Sequence, residues 1–131
     1  MADSVTSQTI VDGDRNVVMK FTNISDGTGE AAVKKVDVTT LSGYGKTWTE
    51  LRIEKIIATT FGMGVQILWD ATTDVLAFYI PADQYLEQDF SKFGGLPNNA
   101  GTGKNGSINF TTVGHSAGDV YTIVLEMKKG S

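Results

Sequence analysis

The sequence predicts an all-β fold: a single-domain antiparallel β-sandwich or jelly roll of about eight or nine short strands. Three observations carry this. Apolar residues recur with period two, as in Val17, Met19, Phe21 and again in Tyr121, Ile123, Leu125, Met127, which is the spacing of one face of a strand. Turn-forming clusters, such as Asp12-Gly13-Asp14 and Gly62-Met63-Gly64, separate these runs at strand-like intervals. The chain has 15 Gly, only two Pro and abundant Val, Thr and Ile, a balance that favours strands over helices.

Taken in order, residues 4–11 read as a strand or an extended arm, joined through Asp12-Gly13-Asp14 to a strand from Asn16; together they form a hairpin. Residues 23–30 are a polar, Gly-containing loop. Residues 31–38 carry Val33, Val36 and Val38, and their Val and Thr content favours strand. Residues 48–60 begin with strict alternation (Leu51, Ile53) and slip phase at Lys55-Ile56-Ile57, which predicts a bulge. Val65, Ile67 and Trp69 alternate with Gln66 and Leu68, and Asp70-Ala71-Thr72-Thr73-Asp74 joins them to residues 75–80. That second run is apolar on both faces and is the expected central strand; Pro81 ends it, because proline cannot donate to a ladder. A short strand over 86–90, a long Gly- and Asn-rich stretch over 94–107, and a final hairpin (108–113, 120–127) complete the chain.

The 131 residues suit one domain with a hydrophobic core of its own, with residues 1–10 as an extended N-terminal arm. Net charge is −4 and the 11 basic residues are scattered, so the basic stripe of a nucleic-acid reader is missing. There is no cysteine, which excludes disulfides and thiolate chemistry. The N-terminus is polar, without a signal-peptide core, and no apolar run reaches membrane-spanning length. These features lead to the expectation of a protein assembled inside the cell that binds neither membrane nor nucleic acid.

Motifs for chemistry fail on inspection. Gly45-Lys46-Thr47 and Gly103-Lys104-Asn105 lack the upstream Gly of a phosphate loop. Asp12-x-Asp14-x-Asn16 begins like a calcium loop, but Val17 and Asn23 occupy the positions that need Gly and Glu; a polar turn is the simpler reading. Asp70 and Asp74 flank a loop and are spaced to share a cation, yet ordinary turn chemistry accounts for them. His115 is the sole histidine, and its neighbours Ser116 and Asp119 sit in one turn, where a catalytic triad cannot assemble. Asp83, Glu87 and Asp89 make an acidic group beside Tyr85, best read as a solvated edge. Sequons at Asn23, Asn105 and Asn109 read as polar residues in or near turns. No enzyme and no cofactor or metal is expected.

Two regions are expected to contact partners. Residues 2–10 are polar, β-prone and terminal, with Ser4, Val5, Thr6 and Ile10 as the named contacts. Residues 94–106 form a loop too long for a passive connection, with Leu96, Asn98 and Asn99 as candidates. Trp48 beside Tyr44 is the candidate aromatic anchor, whereas Trp69 lies in phase with Val65 and Ile67 and belongs to the core. Tyr44, Trp48 and Tyr85 are the aromatics that would serve a ligand-binding platform.

Four stretches carry a family resemblance: residues 9–23 (Thr-Ile-Val-Asp-Gly-Asp-Arg-Asn-Val-Val-Met-Lys-Phe-Thr-Asn), 67–74 (Ile-Leu-Trp-Asp-Ala-Thr-Thr-Asp), 111–119 (Thr-Thr-Val-Gly-His-Ser-Ala-Gly-Asp) and Leu125-Glu126-Met127. Together they resemble a family of small structural proteins of tailed bacteriophages, especially marine ones. The resemblance implies a virion role, as a capsid decoration (cement) protein that docks on the major capsid protein and clamps the shell. It also implies self-association, with a trimer as the assembly, and a location on the capsid surface after synthesis in the host cytoplasm. It assigns no catalytic residues. A tail, neck or fibre-associated component and a jelly-roll ligand- or carbohydrate-binding module are the alternatives.

Overall fold

A computed structural model describes residues 4–13, 16–27, 29–38, 41, 50–90, 92, 95–98, 101, 106–114 and 116–130. Among these, the chain forms nine strands: β1 (Ser4–Asp12), β2 (Asn16–Ile24), β3 (Val33–Val36), β4 (Glu50–Phe61), β5 (Gly64–Trp69), β6 (Val75–Ile80), β7 (Tyr85–Asp89), β8 (Ile108–Val113) and β9 (Val120–Gly130). The period-two segments all become strands, as their alternation requires.

The pairing is nested. β2 pairs with β9, β3 with β8, β4 with β7 and β5 with β6, always antiparallel. This is one long hairpin whose tip is the loop 70–74. Rolling the hairpin adds the β4–β9 and β5–β8 ladders. Two sheets result, ordered β1-β2-β9-β4-β7 and β3-β8-β5-β6. The eight strands β2 to β9 are thus a jelly roll, and β1 is a ninth strand added outside β2.

The core lies between the sheets. Val17 and Phe21 from β2, Ile56 and Ala58 from β4, and Tyr121, Ile123 and Leu125 from β9 face Val65, Ile67 and Trp69 from β5 and Ile108 and Phe110 from β8, all fully buried. Phe110 joins the layers: its ring meets Phe21 at 5.2 Å and Tyr121 at 5.9 Å, both edge-on, the arrangement that aromatic quadrupoles favour. The phase slip in β4 is a register shift between Ile53 and Lys55, the bulge its sequence predicts.

Residues 75–80 depart from expectation. β6 is an edge strand, not a central one. Ile80 is buried and Phe78 packs against the core, while Leu76 and Tyr79 are exposed. Phe78 lies on the inward face with Ile80, opposite Ile67, and Phe90, just past β7, packs edge-on against it at 6.0 Å; the second apolar face is left to solvent. Asn23, expected in the 23–30 loop, lies instead just before the end of β2, while Asn109 lies in β8 as the 108–113 strand predicts; both are buried, closed to any modification in the folded state.

A candidate interaction edge

The two sheets present four edge strands: β1, β7, β3 and β6. An edge strand offers unpaired N–H and C=O groups, and proteins usually guard it with charge, proline or brevity. β7 carries Glu87 and Asp89, and β3 is four residues long with Lys34 and Lys35. β6 also lacks charge and proline, but it is only six residues long and ends at Pro81. β1 is different. Its nine residues, Ser-Val-Thr-Ser-Gln-Thr-Ile-Val-Asp, hold no proline and no charge before Asp12.

β1 runs in regular register with β2 from Ser4↔Ile24 to Thr9↔Met19, then shifts at Ile10. Every residue from Val5 to Val11 is exposed, and none belongs to the core. The strand is held by its ladder to β2 and by one clamp at its base. Lys129 of β9 reaches Asp12 Oδ1 at 2.5 Å and the Gly13 carbonyl at 2.6 Å. Lys129 is 2% exposed because it continues the inward phase of Tyr121, Ile123, Leu125 and Met127. Its methylene stem packs with the core while its ammonium reaches the turn.

The outer face of the five-stranded sheet adjoins this edge. Its register aligns Thr6, Thr22, Thr122 and Thr59 in one row across four strands, with Tyr85 next to Thr59. The adjacent row is Ser4, Ile24, Val120 and Phe61. Neither row contains a charge, and Ile24, Phe61 and Tyr85 are 51%, 67% and 68% exposed. Charges return in the following rows, with Lys20, Glu87, Lys55 and Glu126. One end of this face is therefore uncharged and the other is salted.

Polar groups elsewhere are committed to one another. Glu30 pairs with Lys35, both side chains almost fully buried, and accepts a 2.5 Å hydrogen bond from the Tyr121 hydroxyl. At the hairpin tip, Asn109 Nδ2 donates to Asp70 Oδ1 and Asp74 Oδ2, each at 3.1 Å, and Lys34 lies 3.5 Å from Asp70. An amide thus stands where a shared cation was conceivable, and Asp74 also accepts the Ala71 N–H, as turn chemistry predicts. An open hollow of about 330 Å³ beside this tip is lined by Thr72, Thr73, Val75 and Gly101. Glu87 and Asp89 lie along β7, opposite Ile57 and Lys55, and do not face each other across a cleft.

The structure therefore gathers Ser4, Val5, Thr6 and Ile10 on one edge strand, with Val5, Thr6 and Ile10 exposed. It separates them from the 94–106 candidates. Leu96 exchanges backbone hydrogen bonds with Ile53 at 2.7 and 3.1 Å and packs against the core; Asn98 is buried. Leu96 thereby joins this loop to β4. Tyr44, Trp48, Asn99 and His115 lie outside the described residues, as do both lysine-containing glycine loops. Lys129, Ile24 and Phe61 are not among the candidates that the sequence singles out. The signal for Lys129 was present: a lysine in phase with four apolar residues.

No family model and no curated protein matches the chain. Among solved structures, a cupin domain from Bordetella pertussis is similar with a TM-score of 0.38 and 8% identity, covering 100% of this chain and 98% of that one. The CBM22-1–GH10 modules of a Clostridium thermocellum xylanase, complexed with xylohexaose, give 0.45 and 10%, covering 98% of this chain and 25% of that one. A family 29 carbohydrate-binding module gives 0.41 and 11%, covering 96% and 93%. At these values the likenesses assign no functional residue.

Proposed function

We propose that this chain is a virion structural protein, a capsid decoration protein that docks on the major capsid protein and stabilises the shell, associating with further copies of itself. One structural observation supports docking: the long β1 edge, exposed from Val5 to Val11 and without charge before Asp12. A strand of the capsid protein laid beside residues 4–9 would take up the free backbone groups, giving affinity through the main chain and specificity through alternate side chains. The uncharged threonine and Ile24–Phe61 rows next to the edge add a surface that loses little on desolvation. The phage-family resemblance supplies the identity of the partner.

The test uses undecorated capsids and purified protein, with occupancy read by cryo-electron microscopy. Ordered copies at regular outer lattice positions are expected. The Val5→Lys/Ser7→Lys variant, which charges an exposed edge, should cut occupancy at least tenfold at unchanged folding. Copies confined to the tail or neck would replace decoration with another virion role, and absence from particles would sink both.

A second reading has its own observation. Phe61 and Tyr85 stand exposed beside the threonine row, so aromatic faces and hydroxyls converge as they do in ligand sites. A jelly-roll carbohydrate-binding module would show shifts of the Tyr85 ring in an oligosaccharide titration by NMR, lost in Tyr85→Ala. No perturbation by any oligosaccharide tested would remove this reading.

A further inference from the structure

We infer that residues 4–9 of β1 form an exchangeable arm, which leaves its own body and adds to β2 of a second copy of this chain in the register it uses here. The occupant of that edge is already visible: it is β1 itself.

Three observations carry this. First, β1 is dispensable to the body. Residues Val5–Val11 are all exposed and none enters the core, while β2 to β9 close the eight-stranded roll by their own nested pairing. Leaving therefore removes no residue of the core; it breaks a backbone ladder and the side-chain contacts along it, and the neighbour's β2 restores both. Such an exchange of identical elements is a low-cost route between monomer and assembly.

Second, the hinge is built in. The register shift at Ile10 interrupts the ladder between Thr9 and Val11, and a bulge is where a strand bends. Below it, Val11 and Asp12 remain paired with Val18 and Val17, and Lys129 clamps Asp12 and Gly13. The base of the arm stays fixed while its six residues swing. With residues 4–9 laddered on the neighbour and Val11 still paired at home, Ile10 is the crossing residue, so exchange requires the two β2 strands to abut beside Val18 and Met19.

Third, the arm carries no charge, so arms of two copies pass each other without repulsion. At high local concentration, as on any regular lattice, the entropic cost of pairing falls and the exchanged form prevails. The inference does not depend on a capsid, because purified protein alone must show it.

The chain has no cysteine, so thiols can be placed cleanly. Thr6 and Thr22 are register partners on the outer face. Thr6→Cys chains and Thr22→Cys chains are mixed at high concentration, incubated and joined by a short thiol cross-linker. The linked peptides are identified by mass spectrometry. A Thr6→Cys/Thr22→Cys chain at high dilution shows that the pair can be joined. Exchange predicts a 6–22 link between different chains, found only in the mixture and increasing with concentration. If the double variant links within one chain while the mixture yields no 6–22 link at any concentration, the arm stays home and the inference fails. Removing residues 4–9 should leave a folded monomer that no longer links; loss of folding in that truncation would also overturn the inference, because the arm would then be part of the body.

Discussion

Lys129 Nζ lies 2.5 Å from Asp12 Oδ1, tying the last strand to the turn after the first. The lysine side chain is fully buried, whereas Asp12 keeps 22% of its side chain exposed. Removing one partner of a buried pair is strongly destabilising, because the other is left in a poor solvent. Here the carboxylate can turn to water, which limits the loss. Lys129→Met should therefore destabilise by about 2 kcal/mol, at the lower end for such pairs, read as a lower urea midpoint at constant slope. An unchanged midpoint would mean that the clamp carries no net stability.

Tyr121 holds Glu30 from the other side of the roll. Its hydroxyl donates to Glu30 Oε1 at 2.5 Å, and Glu30 is 8% exposed. Tyr121→Phe preserves the ring against Phe110 and removes only that donor. A hydrogen bond to a buried charge contributes about 1.5–3 kcal/mol, so unfolding free energy should fall by that amount. Phe110 contacts, read from aromatic NMR shifts, should persist.

Gly62 has φ +80°, and a Cβ there would lie 2.1 Å from Asp119 Oδ1. Gly62→Ala meets both a backbone conformation that side chains disfavour and a clash with a carboxylate. The strained backbone alone costs about 1–3 kcal/mol. Asp119→Ala added to it should relieve the clash but not the strain. The double variant should thus be more stable than the sum of the two single losses implies. Strict additivity in thermal unfolding would show that Asp119 swings aside freely.

Asn109 shields Asp70 from Asp74 by donating to both. Asn109→Asp would bring three carboxylates together, and like charges raise folded-state carboxyl pKa values above their unfolded ones. The melting temperature should drop at neutral pH, where all three are ionised. The deficit should shrink as pH falls towards ~4, where protonation relieves the repulsion. A deficit independent of pH would assign the loss to hydrogen bonding alone.

Much of this molecule was legible in its sequence, and the legible parts share a cause. Trp69 belongs to the core because it alternates in phase with Val65 and Ile67, and all three are fully buried. The slip at Lys55 is a bulge, and Tyr121 to Met127 face inward. Each follows from the two-residue period of a strand, which is a property of neighbours along the chain.

The failures share a cause as well. Residues 75–80 read as a central strand because both faces are apolar, but whether a strand is central depends on which strands lie beside it. The outward residues Leu76 and Tyr79 meet solvent at the sheet edge. Leu96 reads as a residue of an irregular loop and is tied to Ile53 of β4. Asn23 reads as the start of a loop and is buried near the end of β2, where ladder position and not residue type decides its setting.

The sequence alone determined that the chain is all-β, which segments become strands, and which side of most strands faces inward. Local sterics and alternation decide these within a few residues of chain. Only the tertiary structure decided that β2 to β9 nest as one rolled hairpin, leaving β1 outside the core as an unguarded edge. It alone placed Lys129 beneath the first turn and aligned Thr6, Thr22, Thr122 and Thr59 in one row. Those contacts join residues far apart in the chain, and closing such distances is governed by how the whole apolar surface is buried at once, which no local window contains.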